Sequence, residues 1–260
     1  MKIATWNVNS IRARINNIRK YLESSSPDIA LLQEIKTEEH SYPFDELNKL
    51  GYISYVNGQK SYNGVSILSK KKLSEINKIL PGDKIKQSRL ISAKIKIKNK
   101  DIEIINIYVP NGNPVDTEKY IYKLNWIDLF IKEIDKKLKA NSSLIIGGDF
   151  NIIPEEKDVY DPEKWGEDVL CSPKERGALK KIFNLGFIDV FRQFKQKEKL
   201  FSWWDYRAVS FRRNAGVRID LILASNSLSK KCTASYIDRE PRSWERPSDH
   251  TPVIAEFEVE

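Results

Sequence analysis

Cysteine is almost absent. Cys171 and Cys232 are the only two in 260 residues, and they form no C-x-x-C pair. That excludes a disulfide framework and a cysteine-built zinc site, and it points to a reducing, cytoplasmic setting. No apolar run approaches the roughly 20 residues needed to cross a bilayer, so a membrane-spanning protein is excluded. The opening stretch MKIATWNVNS has no signal-peptide core and runs straight into patterned sequence, so no leader is expected. No linker rich in proline, glycine or serine, no low-complexity run and no repeat divides the chain. A single domain over residues 1–260 is the expectation. No heptad or exposed apolar helix calls for a partner copy, and a monomer is expected.

What is present suits a globular protein: 40% of residues are hydrophobic and 31% charged. The net charge of +8 favours polyanionic partners through counterion release. A composition rich in lysine and isoleucine produces the same excess, so charge alone does not decide function.

Strand-like and helix-like patterns alternate. KIATWN (2–7), DIALLQ (28–33), GVSIL (64–68) and SLIIGG (143–148) read as strands, the second and last as buried ones. ISAKIKIK (91–98) alternates isoleucine or alanine with lysine, as a strand with one wet face does, and pairs with IEIINIYV (102–109) across Asn99-Lys100. Phe201–Tyr206, Arg218–Ala224 and Pro252–Val259 read as further strands. Ile11, Ile15, Ile18 and Leu22 recur at helical spacing, and residues 174–185 also look helical. The clearest helix is 117–139, where Tyr120, Leu124, Ile127, Ile131, Ile134 and Leu138 form one stripe and Thr117 or Asp116 supplies the N-cap. The class expected is α/β, a four-layer α/β sandwich with two packed mixed β-sheets flanked by helices.

Polar residues fall at the ends of these apolar strands. Asn7 and Asn9 follow the first, Gln33 and Glu34 end the second, Tyr108 and Asn111 end another, and Asp149 and Asn151 close GG-D-F-N. Asp249 and His250 precede the last strand. Any one of them alone reads equally well as a turn residue or cap. Asp220 does not, because it interrupts Val217, Ile219, Leu221, Ile222 and Leu223 inside a buried strand. A buried carboxylate needs a partner, and His250 is the economical choice, since the other histidine, His40, lies in a polar loop. Hard oxygen donors with one histidine and no usable cysteine suit Mg²⁺ or Mn²⁺, not zinc.

Taken together, WNVNSIRAR (6–14), LLQEIKT (31–37), INIYVPNG (105–112), GGDFNIIPEEKDVYDP (147–162), FSWWDYR (201–207), GVRIDLILAS (216–225) and RPSDHTPVIAEF (246–257) resemble the exonuclease III family of AP endonucleases over essentially the whole chain. The wider endonuclease/exonuclease/phosphatase superfamily shares QE, GDFN and SDH. PNG, FSWWDYR and the R-x-D strand point to its DNA-repair branch.

The resemblance implies a role for each matching position. Glu34 holds Mg²⁺, helped by Asn9 and Asp249, and Asn7 orients the neighbours of metal and phosphate. Asp149 activates the attacking water and Asn151 positions it. His250 donates to the scissile phosphate with Asp220 fixing its ring, and Tyr108 hydrogen-bonds the phosphate or leaving oxygen with Asn111 nearby. Residue 9 is Asn rather than Asp, one formal charge fewer, which leaves open a metal position nearer Asp149, Asn151 and Asp249. Trp203 is placed on the wall of a pocket for a flipped, base-less sugar, with Ile219 and Val217 as further wall candidates. Of the adjacent pair Trp203 and Trp204, one buries and the other faces the pocket. Arg12, Arg89, Arg212, Arg213 and Lys60 are candidate phosphate contacts, as is the Lys174–Arg176 turn, whereas the acidic stretch 155–170 is not.

The implied substrate is double-stranded DNA with abasic sites or blocked 3′ ends. Two other readings stand beside it: a phospholipid or inositol-phosphate phosphodiesterase of the same fold, and a non-catalytic DNA-binding module.

Overall fold

The inward–outward alternation of KIATWN continues in space. Ile3 belongs to one buried cluster and its neighbours Ala4 and Trp6 to another on the opposite face, as a period of two dictates. In the computed structural model, which describes residues 1–165 and 168–259, the strands and helices run β1 (Lys2–Asn7), α1 (Ile15–Ser25), β2 (Ile29–Gln33), α2 (Phe44–Asn48), β3 (Ile53–Asn57), β4 (Val65–Ser69), β5 (Ser74–Asn77), β6 (Leu90–Ile97), β7 (Lys100–Tyr108), α3 (Glu118–Ala140), β8 (Leu144–Asp149), α4 (Pro162–Trp165), α5 (Pro173–Asn184), β9 (Phe187–Asp189), β10 (Asp220–Ser225), α6 (Asn226–Ser229), β11 (Cys232–Ile237) and β12 (Val253–Phe257).

Two six-stranded sheets form, in the orders β11-β12-β1-β2-β4-β3 and β5-β6-β7-β8-β10-β9. β1 with β2 and β7 with β8 are parallel pairs, and the other ladders are antiparallel. Ile3, Leu31 and Ile67 of the first sheet meet Ile91, Ile104, Ile145 and Ile222 of the second in one buried layer. The outer face of the first sheet is covered by Ile18, Tyr21 and Leu22 of α1. The outer face of the second is covered by Trp126, Ile127, Phe130 and Ile134 of α3 with Leu179 and Ile182 of α5. The layers are therefore α/β/β/α, as expected. No described helix is long and apolar enough to cross a membrane.

Three local expectations need correction. Residues 201–206 form no strand ladder. Trp203 makes single bridges to Val217 and His250, because its two sides contact different segments and neither runs on. The first helix begins at Ile15, not Ile11, since the backbone N–H groups of Val8, Ser10 and Ile11 are spent on the carbonyls of Gln33, Glu34 and Ile35. The stripe of α3 is rotated: Trp126, Phe130 and Lys123 are buried, while Leu124, Ile131 and Leu138 are only partly covered. Thr117 does cap this helix, accepting from the Tyr120 N–H.

The sheets approach closely enough to need a glycine. A Cβ on Gly147 of β8 would lie 2.5 Å from Leu31 Cδ1 across the interior. Gly147→Ala is expected to overpack this contact and cost about 1–3 kcal/mol. A lower urea midpoint at unchanged slope checks it, and a midpoint equal to wild type contradicts it.

Candidate active site

Strand registers bring the polar strand ends to one rim. Asn7 lies opposite Gln33 in the first sheet, and Tyr108 and Asp220 both lie opposite Asp149 in the second. Because β12 runs antiparallel to β1, the residues before it arrive at the same rim, and His250 O accepts from Trp6 Nε1 at 3.2 Å. Several rim residues sit in the left-handed region without being glycine: Asn9, Glu34, Lys36 and Asn151 have φ between 45° and 51°. Such backbone is costly and is held only where surroundings over-determine it.

The Asn7 side chain joins the sheets at this rim. Its Nδ2 donates to Glu34 Oε1 at 2.8 Å and to Asp149 Oδ2 at 2.9 Å. Glu34, Asp149 and His250 each offer a ligand atom, and these atoms lie within 4.8 Å of one another. Asp149 is 1% exposed, and its other oxygen accepts from the Asn151 N–H at 2.9 Å. Asp220, fully buried, contacts His250 Nδ1 through Oδ2 at 2.9 Å, while His250 Nε2 is 3.7 Å from Asp149 Oδ2.

The electrostatics follow from burial and charge. Burial pushes the Asp149 carboxyl up to about 7; the charges of Asp220 and Glu34 add to this, against His250 and the Asn7 hydrogen bond. Burial alone would lower His250, but Asp220 and Asp149 outweigh it and hold the imidazolium up to about 10. Burial opposes ionisation of Glu34 as well, yet Lys36 and Asn7 keep its carboxyl below the ordinary value. The Tyr108 phenol is pushed well up by burial, then by the charges of Glu34 and Asp149, so it stays a hydrogen-bond donor at neutral pH.

The donor set fits a hard divalent cation. The carboxylates of Glu34, Asp149, Asp220 and Asp249 gather here, and the ion pairs made with them among the described residues come from Lys36 and a protonated His250. Clustered negative charge favours a divalent ion, and carboxylate oxygens are what Mg²⁺ or Mn²⁺ take. Among the described residues the group able to hold a metal is Glu34, Asp149 and His250, and the two carboxylates in it are the oxygen donors. The other residues expected as ligands lie at the same rim with hydrogen bonds of their own. Asp249 accepts from Trp203 Nε1 at 2.9 Å and from Asn9 Nδ2 at 3.2 Å. Asn9 Oδ1 accepts from Lys36 Nζ at 2.6 Å. Asn151 Oδ1 accepts from Asn111 Nδ2 at 3.1 Å and its Nδ2 donates to Val109 O.

Of the substrate-contact candidates, Trp204 is fully buried and Trp203 is partly exposed, with Trp165 edge-on at a centroid distance of 6.3 Å. A cleft of about 510 Å³ opens beside Trp203, lined also by Tyr160, Trp165, Asp205, Ser210 and Arg213. Ile219 and Val217 lie in the core beneath it, at most 2% exposed, packed in one buried cluster with Tyr120, Ile153 and Val159. Arg89 is 9% exposed and anchored under Tyr108, its guanidinium 4.7 Å from the ring and hydrogen-bonded to Tyr108 O. Arg12, Arg212, Arg213 and Lys60 are exposed on loops. Of the acidic stretch 155–170, Gly166 and Glu167 lie outside the described residues.

Sequence reasoning passed over four side chains. Lys36 bridges Glu34 and Asn9; its spacing of two from Glu34 was the available signal. Arg14, rather than Arg12, reaches the rim, donating to Asn9 O and to Tyr206 Oη. Tyr206 in turn accepts from Asn9 and donates to Pro247 O. Lys123 is wholly buried next to Asn151, and burial pulls its ammonium down to about 8 against the charge of Glu175.

Gln33 faces inward instead, donating to Asn106 Oδ1 and Thr5 Oγ1 between the sheets.

Residues 4–250 match the model of the Endonuclease/Exonuclease/phosphatase family. Exodeoxyribonuclease III of Haemophilus influenzae is 33% identical, the match covering 99% of this chain and all of that one. A 3′-5′ exonuclease from Neisseria meningitidis superposes with a TM-score of 0.95 at 37% identity. An AP endonuclease from Archaeoglobus fulgidus superposes with a TM-score of 0.94 at 38% identity. Both structural matches cover the whole of each chain. A likeness that runs through both sheets and through the rim they share leaves one conclusion: the chain belongs to the endonuclease/exonuclease/phosphatase family.

Proposed function

We propose that this protein is a DNA-repair phosphodiesterase that hydrolyses the backbone 5′ to abasic sites and also trims 3′ ends, with Mg²⁺ as its working cation and Mn²⁺ able to replace it. The observation that carries this reading is the convergence of Glu34, Asp149 and His250, with ligand atoms within 4.8 Å, at a rim beside the partly exposed Trp203. The relatives that match over full length are DNA nucleases by name, and the net charge of +8 suits a polyanion. That favours DNA over the phospholipid and inositol-phosphate reading and over a module without activity.

A phosphodiester is an anion that repels hydroxide, so its hydrolysis needs a base at the water and donors on the phosphate oxygens. Asp149 is the base: its carboxylate, held by the Asn151 N–H beside Glu34 and His250, accepts the water's proton. Asn151, whose N–H is bound to Asp149, orients that water. Water oxygen bonds to phosphorus, and the bond from phosphorus to the 3′ oxygen breaks. This leaves a 3′-hydroxyl and a 5′-deoxyribose phosphate. His250, kept protonated by Asp220, donates to a phosphate oxygen, and Tyr108 hydrogen-bonds the departing oxygen. Glu34 and Asp149 would hold the cation, which would supply positive charge against the phosphate. The Ser202 and Ser248 hydroxyls beside Asp220 and His250 are fully buried and bound to backbone groups, which favours direct attack by water. Trp203 gives a flat apolar wall for a sugar that has lost its base.

In a duplex carrying one tetrahydrofuran abasic analogue, EDTA is expected to abolish incision. Asp149→Asn should lower turnover by about 10²–10⁴-fold with DNA affinity nearly unchanged. Incision that persists in EDTA, or that yields an unsaturated aldehyde by β-elimination, contradicts the hydrolytic reading. Vesicles of phosphatidylinositol and soluble inositol phosphates serve as the competing substrates.

The pH profile carries its own sign. Activity falls as pH climbs towards the titration of His250. Asp220 holds the His250 imidazolium up, so Asp220→Asn should move this alkaline limb to lower pH. An alkaline limb left in place would remove His250 from its assigned role.

A further inference from the structure

Lys123 has no part in the chemistry above, yet its ammonium is wholly buried against the catalytic loop. Its Nζ donates to Asn151 O at 2.8 Å and to Val169 O at 2.6 Å, with Glu175 Oε1 at 3.5 Å. Glu175, on α5, is also 0% exposed and accepts from Tyr120 Oη at 3.2 Å and from Ser172 Oγ. The stem of Lys123 fills the space under the second polar loop. A Cβ on Gly112 would come within 2.8 Å of Lys123 Cδ, and Gly112 has φ +80°, so glycine lets the Asn111 loop close down on the lysine.

A buried ion pair is an inefficient source of stability, since apolar side chains of similar shape commonly do as well. A buried ammonium aimed at two carbonyls therefore calls for another reason, and Asn151 supplies it. Asn151 is a non-glycine residue at φ 48°, a conformation that persists only when it is held. Its N–H is held by Asp149, its side-chain oxygen by Asn111, and its side-chain nitrogen by Val109 O. Lys123 holds the remaining group, the backbone carbonyl.

We propose that Lys123 is a positioning residue: its ammonium, anchored by Glu175, fixes the Asn151 carbonyl and thereby sets the Asn151 and Asn111 amides against the Asp149 carboxylate. This rests on the reading of Asn151 as the group that orients the attacking water.

The test uses the full-length chain and whichever DNA substrate the wild type hydrolyses. Four variants are needed: Lys123→Met, Lys123→Met with Glu175→Leu, Asn151→Ala, and Asn151→Ala with Lys123→Met. The second removes both charges and keeps apolar bulk, while Tyr120 and Ser172 hydroxyls still pair at 2.9 Å. Lys123→Met is expected to lower kcat by about 10–100-fold, the scale of lost support behind an active group, with KM changed less than about threefold. The paired substitution should recover thermal stability without recovering kcat. In the Asn151→Ala background, Lys123→Met should cost less than about twofold more, because groups acting through one another are not additive. Recovery of kcat together with stability, or full multiplication of the two penalties, overturns the proposal, and the paired variant carries the test if Lys123→Met alone fails to fold. A wild type that leaves DNA uncut would instead overturn the function proposed above.

Discussion

One uncharged amide holds two like charges at a single rim. Glu34 follows a strand of the first sheet and Asp149 ends a strand of the second, and Asn7 Nδ2 gives one hydrogen to each. Two carboxylates about 5 Å apart repel by roughly 3 kcal/mol at an effective dielectric constant near 20. A donor with two N–H groups and no charge offsets part of that without filling the place of a cation. The same device recurs deeper in the interior, where the Gln33 and Asn106 amides join the two sheets by a buried hydrogen bond of 2.7 Å. The sandwich is therefore pinned by amides where its layers meet, and the rim inherits that register.

From this constraint the rest of the site follows by charge balance. Burial alone would protonate the carboxylates, and Lys36, His250 and the Asn7 amide oppose it. Asp220 sits behind His250 and keeps it cationic. That leaves a surplus of negative charge facing outward between the sheets. Such a site attracts a divalent ion first and an anionic phosphate only through it, which is the order a phosphodiester hydrolase needs. Asn9, Asp249 and Trp203 form an adjoining hydrogen-bonded chain, so the wall that would meet a sugar is tied to the same rim as the chemistry.

How much of this was legible in the sequence depended on burial. The eight inner strands announced themselves through apolar runs or strict alternation. The four that escaped notice, β3, β5, β9 and β11, are the four edges of the two sheets. An edge strand buries little, as the largely exposed Ser74–Asn77 shows, so hydrophobic periodicity is weak there. The segment 201–206 misled in the opposite direction, because its aromatic content reflects single bridges to two neighbours and not a ladder. At the rim, strand-end position sufficed to find Asn7, Glu34, Tyr108, Asp149, Asp220 and His250. Lys36, Arg14 and Lys123 were not found. Their importance lies in which carbonyl or carboxylate each charge meets, and in a lysine-rich chain no local pattern separates a buried lysine from a solvated one.

Anomalous scattering from Mn²⁺ in crystals of the wild-type protein tests the central claim most directly. The account predicts a peak within coordination distance of both the Glu34 and the Asp149 carboxylates, lost when Glu34 is replaced by Gln. A peak elsewhere, with the Glu34–Asp149 rim empty at saturating Mn²⁺, would contradict it.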